Sequence, residues 1–254
     1  MGTLIRLIGT TFNNPDLPLA QIPYGGITKG LLGAYHLRHS LGLCKDLSGN
    51  GNNPVLRGSI SFEENHLITG NGKNGLTTPI KHNQAQEFTI CSIMRRPTQQ
   101  STSYGFGVNT YSDGANNNGG ANLMGNASTG AVRHQLHVVD PVQPDNVRTV
   151  VTDFPTTEPD EWFAYIMTVS AVNGEVKGYC FKKSSSPYVT DITTAVVHGR
   201  DVDDYMIGYS NSSSNAVMHN AYAAIFDRAL TEEEVATQYA SMKRYASAVG
   251  LGDV

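Results

Sequence analysis

The sequence is poor in charge, in tryptophan and in cysteine, and it has no long apolar run. Asp, Glu, Lys and Arg together make up 16% of its 254 residues. That is too little for a coiled coil or for a solvated disordered chain, both of which are rich in charge. Acidic residues outnumber basic ones, 22 to 18. The basic footprint of a dedicated nucleic-acid binder is therefore missing. Cys44, Cys91 and Cys180 are odd in number and far apart, a poor disulfide framework. No C-x-x-C pair occurs, so a cysteine zinc site is not expected. The three read as small hydrophobes in or near a core. The opening M-G-T-L-I-R-L-I-G is broken by Arg6 and is too short for a secretory h-region or a membrane span. Arg6 also stands where N-myristoylation expects Ser or Thr. The expectation is a chain without signal peptide or transmembrane segment, made in a reducing cytoplasm.

What the sequence does have is turns. Gly is 26 and Pro is 11, and short apolar stretches alternate with Gly, Asn, Ser and Asp clusters. This texture predicts an all-β sandwich, which often exceeds 200 residues as one domain. Residues 1–28 differ from the rest. Leu4, Ile5, Leu7 and Ile8 are followed by Phe12, Leu17 and Leu19 among Pro15, Pro18 and Pro23. Prolines at that spacing forbid regular helix and central strand, so this is read as an extended arm with apolar anchors. Strands are predicted around Leu31–Leu37, Ser59–Phe62, His66–Thr69, Glu87–Arg95, Ala131–Val139, Arg148–Thr152, Glu161–Val172, Glu175–Lys182, Tyr205–Tyr209 and Ala221–Phe226. Glu87–Arg95 carries apolar groups on both faces, the mark of a central strand. Asn173-Gly174 is the best hairpin signal in the chain. Residues 98–130 read as a long polar loop.

Only the C-terminus is helical. Thr231 with Glu234 forms a capping box. Val235, Tyr239, Met242, Ala246 and Val249 then recur at helical steps, and Gly250 ends the run. The chain thus divides into an arm at 1–28, a sandwich at 29–230 and a capped helix with its tail at 231–254, the helix being able to cover one end of the sandwich.

Several landmarks in this order resemble the laminin G-like group of concanavalin A-like jelly rolls. Gly30–Leu37 is similar to the first strand of that family, and Asp46-Leu47-Ser48-Gly49-Asn50-Gly51-Asn52 to its D-x-S-G-N-G-N turn. Glu87–Pro97 resembles its central strand, Glu161-Trp162 with the following hairpin its W-H-H-V hairpin, and Tyr205–Tyr209 its I-G strand. Ala223–Val235 is similar to the closing I-Y-N-R-A-L-T-x-E-E-I signature. The likeness runs from about Gly30 to Tyr239. It implies a concanavalin A-like jelly-roll β-sandwich. One departure stands out: Met218-His219-Asn220-Ala221 occupies the place where the family often carries acidic residues before its last strand. A calcium site using those acids lacks its ligands here.

Catalytic patterns are missing. Glucanases of this fold space carboxylates as E-x-D-x-x-E for acid and nucleophile work. Glu158, Asp160 and Phe163 stand at those positions, and Pro159 breaks the strand. There is no G-x-S-x-G elbow, and Gly70–Gly75 lacks the phosphate-loop spacing. His36 with His39, and His134 with His137, are three apart. On strands that offset puts the members of a pair on opposite faces, so neither pair is expected to chelate. The chain is expected not to be an enzyme.

Binding patterns are present. Sugar sites use aromatic faces with amides and hydroxyls. Tyr104, Tyr111, Asp113, Asn116 and Asn117 form one candidate cluster for glycan, with Phe106 beside them. Tyr209 and Asn211 form a second, near Tyr205. Asp46 with its turn carbonyls is a candidate for a structural Ca²⁺, the alternative being an Asx motif that holds its own turn; no other cofactor is expected. The arm I-R-L-I-G-T-T-F-N-N-P-D-L-P resembles arms of bacteriophage proteins that carry this domain. The implied role is a structural virion component (tail, fibre, collar or head decoration) assembled in the host cytoplasm. Its arm would hold other virion proteins and its sandwich host surface polysaccharide, as a homo-oligomer or symmetric assembly, without nucleic-acid binding or membrane insertion. A stand-alone carbohydrate-binding module and, behind it, a glycan hydrolase are the competing readings.

Overall fold

The computed structural model describes residues 23–70, 74–83, 85–97, 105–111, 121–125, 131–156, 158, 160–193, 195–198, 204–208 and 217–254. Its strands are β1 (Leu31–His36), β2 (Val55–Arg57), β3 (Ser61–Phe62), β4 (Leu67–Gly70), β5 (Gly75–Lys81) and β6 (Glu87–Arg95). They continue with β7 (Gly105–Tyr111), β8 (Ala121–Gly125), β9 (Ala131–Asp140), β10 (Gln143–Thr156) and β11 (Trp162–Ser170). The last are β12 (Glu175–Tyr179), β13 (Tyr188–Asp191), β14 (Val196–Val197), β15 (Asp204–Ile207) and β16 (Val217–Phe226), before helix α1 (Glu232–Ala248). Two antiparallel sheets result. The first runs β13-β12-β11-β6-β16-β4-β3, with β1 also on β16; the second runs β10-β9-β8-β7-β15-β5-β2, with β14 on β9.

The two sheets face each other across one apolar core. Phe88, Ile90 and Met94 of β6, Phe163, Tyr165 and Met167 of β11 and Ile225 of β16 meet Leu76, Val108, Leu136, Tyr205 and Ile207 from the second sheet. This is the period-2 alternation the sequence shows, with one set of side chains turned inward.

The other set is buried as well. Cys91 and Ile93 of β6, Ala164 and Ile166 of β11, and Tyr222, Ala224 and Phe226 of β16 pack beneath Val235, Met242, Tyr245 and Ala246 of α1. Leu251 and Val254 of the tail join them. The helix therefore lies on the outer face of the first sheet, where the sequence reading had it over one end of the sandwich. The reason is the double-faced apolar pattern of β6 and β11: such strands need cover on both sides. Each fully buried side chain of this size contributes roughly 1.5–3 kcal/mol, so a large patch cannot be left bare.

Local signals hold the elements in place. Thr231 accepts from the Glu234 N–H while the Glu234 carboxylate accepts from the Thr231 N–H, so the capping box is formed. Arg228 grips the same carboxylate with two nitrogens, at 2.7 and 2.6 Å. Ser170 and Glu175 pair across the β11–β12 turn, which has four residues, Ala171 to Gly174. Gly174 takes a φ of 68° there, which an L side chain resists. The stretch 98–130, read as one loop, instead contains β7 and β8. Val108, Ala121 and Leu123 give them an inward face, but their many Gly and Asn residues hide the alternation.

Candidate functional site

The Asp46 turn is built around one carboxylate. Its Oδ1 accepts from the N–H of Ala34 (3.2 Å) and of Ser48 (2.9 Å). Its Oδ2 accepts from the Ser48 hydroxyl (2.7 Å) and the Asn52 N–H (2.9 Å). Asn50 and Asn52 reach back with their amides to carbonyls of Leu31 and Leu32. Asp46 thus ties the turn to β1. A Ca²⁺ ion does not fit this arrangement, because four donors already point at the two oxygens and a cation would have to displace them. Among the described residues no group of three or more His, Cys, Asp or Glu side chains is placed to hold a metal. The bond from the Ser48 N–H makes this the Asx turn.

The predicted glycan residues fall largely outside the described residues. Tyr104, Asp113, Asn116, Asn117, Tyr209 and Asn211 lie there, as do the arm positions Leu4, Ile5, Leu7, Ile8, Phe12, Leu17 and Leu19. Tyr111 closes β7 opposite Asp204, and its side chain is also outside the described set. β7 and β15 run antiparallel, with Tyr111 opposite Asp204 at one end and Val108 opposite Ile207 at the other. Tyr205 belongs to neither candidate cluster. It is 2% exposed and sits in the core against Phe88 and His82, and burial pushes its phenol far up.

Sequence reasoning missed the outer face of the second sheet. Arg133, Gln135 and His137 of β9 share that face with Thr149 and Val151 of β10. The Gln135 amide nitrogen lies 3.0 Å from His137 Nε2, and Thr149 Oγ1 lies 3.4 Å from Nδ1. An amide nitrogen can only donate, so Nε2 accepts and Nδ1 carries the proton. Burial first, and His198 nearby, push the His137 imidazole down to about 4, so it is neutral at pH 7. The face offers amide, hydroxyl and guanidinium groups with a half-exposed valine. Its signal in the sequence was the odd spacing of His134 and His137. His134 indeed turns inward, 2.8 Å from the Tyr165 hydroxyl, while His137 turns out.

The carboxylates at 158–161 serve the fold. Glu161 pairs with Lys183 at 2.8 Å and Lys182 at 3.5 Å and accepts from the Glu158 N–H. Burial opposes its charge, but the bonds from Lys183 and Glu158 hold its carboxyl below the usual range. Lys182 also reaches the carbonyls of Trp162 and Asp253. The group clamps the start of β11 to the C-terminal tail.

Fold and topology define an all-β sandwich of two antiparallel sheets with a helix on one face. Among solved structures the chain is similar to the botulinum neurotoxin serotype G binding domain, with a TM-score of 0.60 and 13% identity over 84% of this chain. It is similar to the binding domain of Paraclostridial Mosquitocidal Protein 1, at 0.59 and 14% over 86%, and to Trypanosoma rangeli sialidase, at 0.61 and 12% over 85%. The chain spans 51% and 53% of the two binding domains and 33% of the sialidase. At these identities the likeness is one of fold. No protein-family profile matches the chain, and no curated protein does. Among the described residues no helix is long and apolar enough to cross a membrane.

Proposed function

We propose that this chain is a non-catalytic structural component of a bacteriophage particle, presenting a lectin-like sandwich to glycans on the host surface. The observation that carries the reading is the asymmetry of the sandwich. The middle strands of its first sheet are covered by α1 and the tail, while the outer face of the second carries Arg133, Gln135, Thr149 and Val151. Among the described residues Thr149 and Val151 of that second face are exposed, and its groups are of the kind that bond to sugar hydroxyls. Binding domains of toxins among the structures of similar fold support a recognition role.

The virion half of the proposal rests on the sequence. The proline-marked arm, with Leu4, Ile5, Leu7, Ile8 and Phe12 as anchors, joins the subunit to other virion proteins in a symmetric assembly. No nucleic-acid contact, membrane insertion or cofactor is needed. Particles assembled with a chain lacking residues 1–22, which keeps Tyr24 on Gln238, are expected to lack the subunit, although the truncated chain folds. Incorporation at the wild-type level would overturn the assembly role. The full chain on a broad glycan array is expected to bind at least one host surface polysaccharide, and silence across the array overturns the adsorption role. The second reading, a free carbohydrate-binding module, is favoured by the same open face. Glycan binding by a chain that never enters particles would decide for it.

A further inference from the structure

At one end of its outer face the first sheet carries a row of aromatic and basic side chains, tied to the end of α1. His219 of β16, Arg95 of β6 and Trp162 of β11 stand opposite one another on neighbouring strands. His66, just ahead of β4, lies on His219 with ring centres 4.6 Å apart and planes 16° from parallel. It also meets Trp162 edge-on at 5.3 Å. The Arg95 guanidinium lies 4.8 Å over the Trp162 ring and brings one nitrogen to 2.8 Å from His219 Nδ1. A guanidinium only donates, so that Nδ1 accepts and the proton of the neutral ring is on Nε2. Asn65 donates its amide to the Val249 carbonyl at 3.2 Å and turns its oxygen to His66 Nδ1 at 2.7 Å. His66 Nδ1 therefore holds the proton, and its Nε2 is buried with no hydrogen-bond partner. A proton on His219 Nδ1 would face the guanidinium. One on His66 Nε2 would be a buried N–H with nothing to accept it, which is costly.

We propose that the His66–His219 stack is an acid-sensitive latch, which fastens the β3–β4 hairpin and the end of α1 to the first sheet while both rings are neutral and releases them when the rings take up protons. Among the described residues the surrounding elements offer no carboxylate to balance an added charge. Glu63 and Glu64, between β3 and β4, are exposed and pair with neither ring. Glu161, ahead of β11, is taken by Lys182 and Lys183, and Asp253 of the tail by Lys243 of α1. From β6 comes Arg95, a like charge for both rings. Burial first, then His66 and Arg95, hold the His219 imidazole down to about 3; burial and Arg95 hold that of His66 down to about 4. Released rings return to about 6.5. Bases depressed in the closed state keep it closed above that value, and the hold weakens as pH falls from about 6.5 toward 4. The hairpin is the part that yields, because β3 has 2 residues, β4 has 4, and β3 is the outermost strand of its sheet.

The test follows backbone amide exchange of the full chain at about pH 7.5 and pH 5, each rate taken relative to an unstructured peptide at the same pH. Protection at residues 63–69 and 249–251 is expected to fall by about tenfold or more at pH 5, and these amides are expected to exchange ahead of those of Ile90 and Ile166. The double variant His66→Asn/His219→Asn puts an amide nitrogen where His66 Nδ1 donates and an amide oxygen where His219 Nδ1 accepts, with nothing left to titrate. It is expected to keep its protection at those residues. Unchanged wild-type protection at pH 5, exchange only together with Ile90 and Ile166, or the same fall in the double variant would each overturn the latch. Ring-nitrogen NMR of the wild type needs no variant. At about pH 7.5 it is expected to show His66 protonated on Nδ1 and His219 on Nε2, and either ring in the other tautomer overturns the latch as well.

Discussion

Single side chains hold together parts of this chain that are distant in sequence. Asp46 gathers donors from Ala34, Ser48 and Asn52. Hydrogen bonds to a charged group contribute more than neutral ones, and deleting the acceptor leaves its donors unpaired. Asp46→Ala is therefore expected to cost roughly 2–4 kcal/mol, read as a drop in the urea midpoint at unchanged slope. With the carboxylate already engaged, millimolar calcium and EDTA should give the same melting temperature. A rise with calcium that Asp46→Ala abolishes would restore the metal at this position. Gln238 plays a similar part unseen in the sequence. Fully buried, it donates to the Tyr222 hydroxyl at 2.8 Å and accepts from the Tyr24 hydroxyl and the Ile27 N–H. A glutamine amid an apolar helical pattern carries no mark of such partners.

At the scale of elements, the helix is fastened by its first turn. The Arg228 fork, with burial opposing it, holds the Glu234 carboxyl down to about 2. The unfolded chain has it near 4.3. A carboxyl depressed by folding adds stability that is complete above the unfolded value and is lost as pH falls through the folded one. Wild type should therefore lose more stability between about pH 4.5 and pH 2 than Glu234→Gln does. Denaturation midpoints at stepped pH measure this, and parallel curves would remove the fork from the account. The capping box was legible because T-E-E-E followed by an apolar period is a local signal. Strands β7 and β8 were not, because 105–125 is dominated by Gly, Asn and Ser, whose small or polar side chains blur a period of two.

The whole molecule buries an unusual share of its histidines. Burial pushes His36 and His219 down to about 3, and His66, His82 and His137 down to about 4, with Arg38, Arg95, His66 and His198 adding to the effect at their neighbours. The unfolded chain takes up those protons near pH 6.5. For bases depressed by folding, stability is complete above that value and falls as pH drops from about 6.5 toward 4. The melting temperature is expected to be level from about pH 7 to 8 and clearly lower at pH 5. His82 lies between Phe88 and Tyr205 with neither ring nitrogen hydrogen-bonded, so His82→Met should flatten the decline. Equal melting temperatures at pH 5 and 7.5 would count against this account.

The sequence by itself determined the fold class, the central strands, the capped helix, the Asp46 turn and the placing of His134 and His137 on opposite faces of one strand. Each of these is written in short-range periodicity or in turn chemistry. Only the tertiary structure decided that α1 covers the outer face of the first sheet, that β7 and β8 interrupt the long polar stretch, and that Tyr205 belongs to the core. It also decided that Tyr111 stands opposite Asp204, at the start of β15. The physical reason is common to all of them. A period of two or of 3.6 records that a side chain is buried, but the group that buries it arrives from a distant part of the chain, and no local pattern names it.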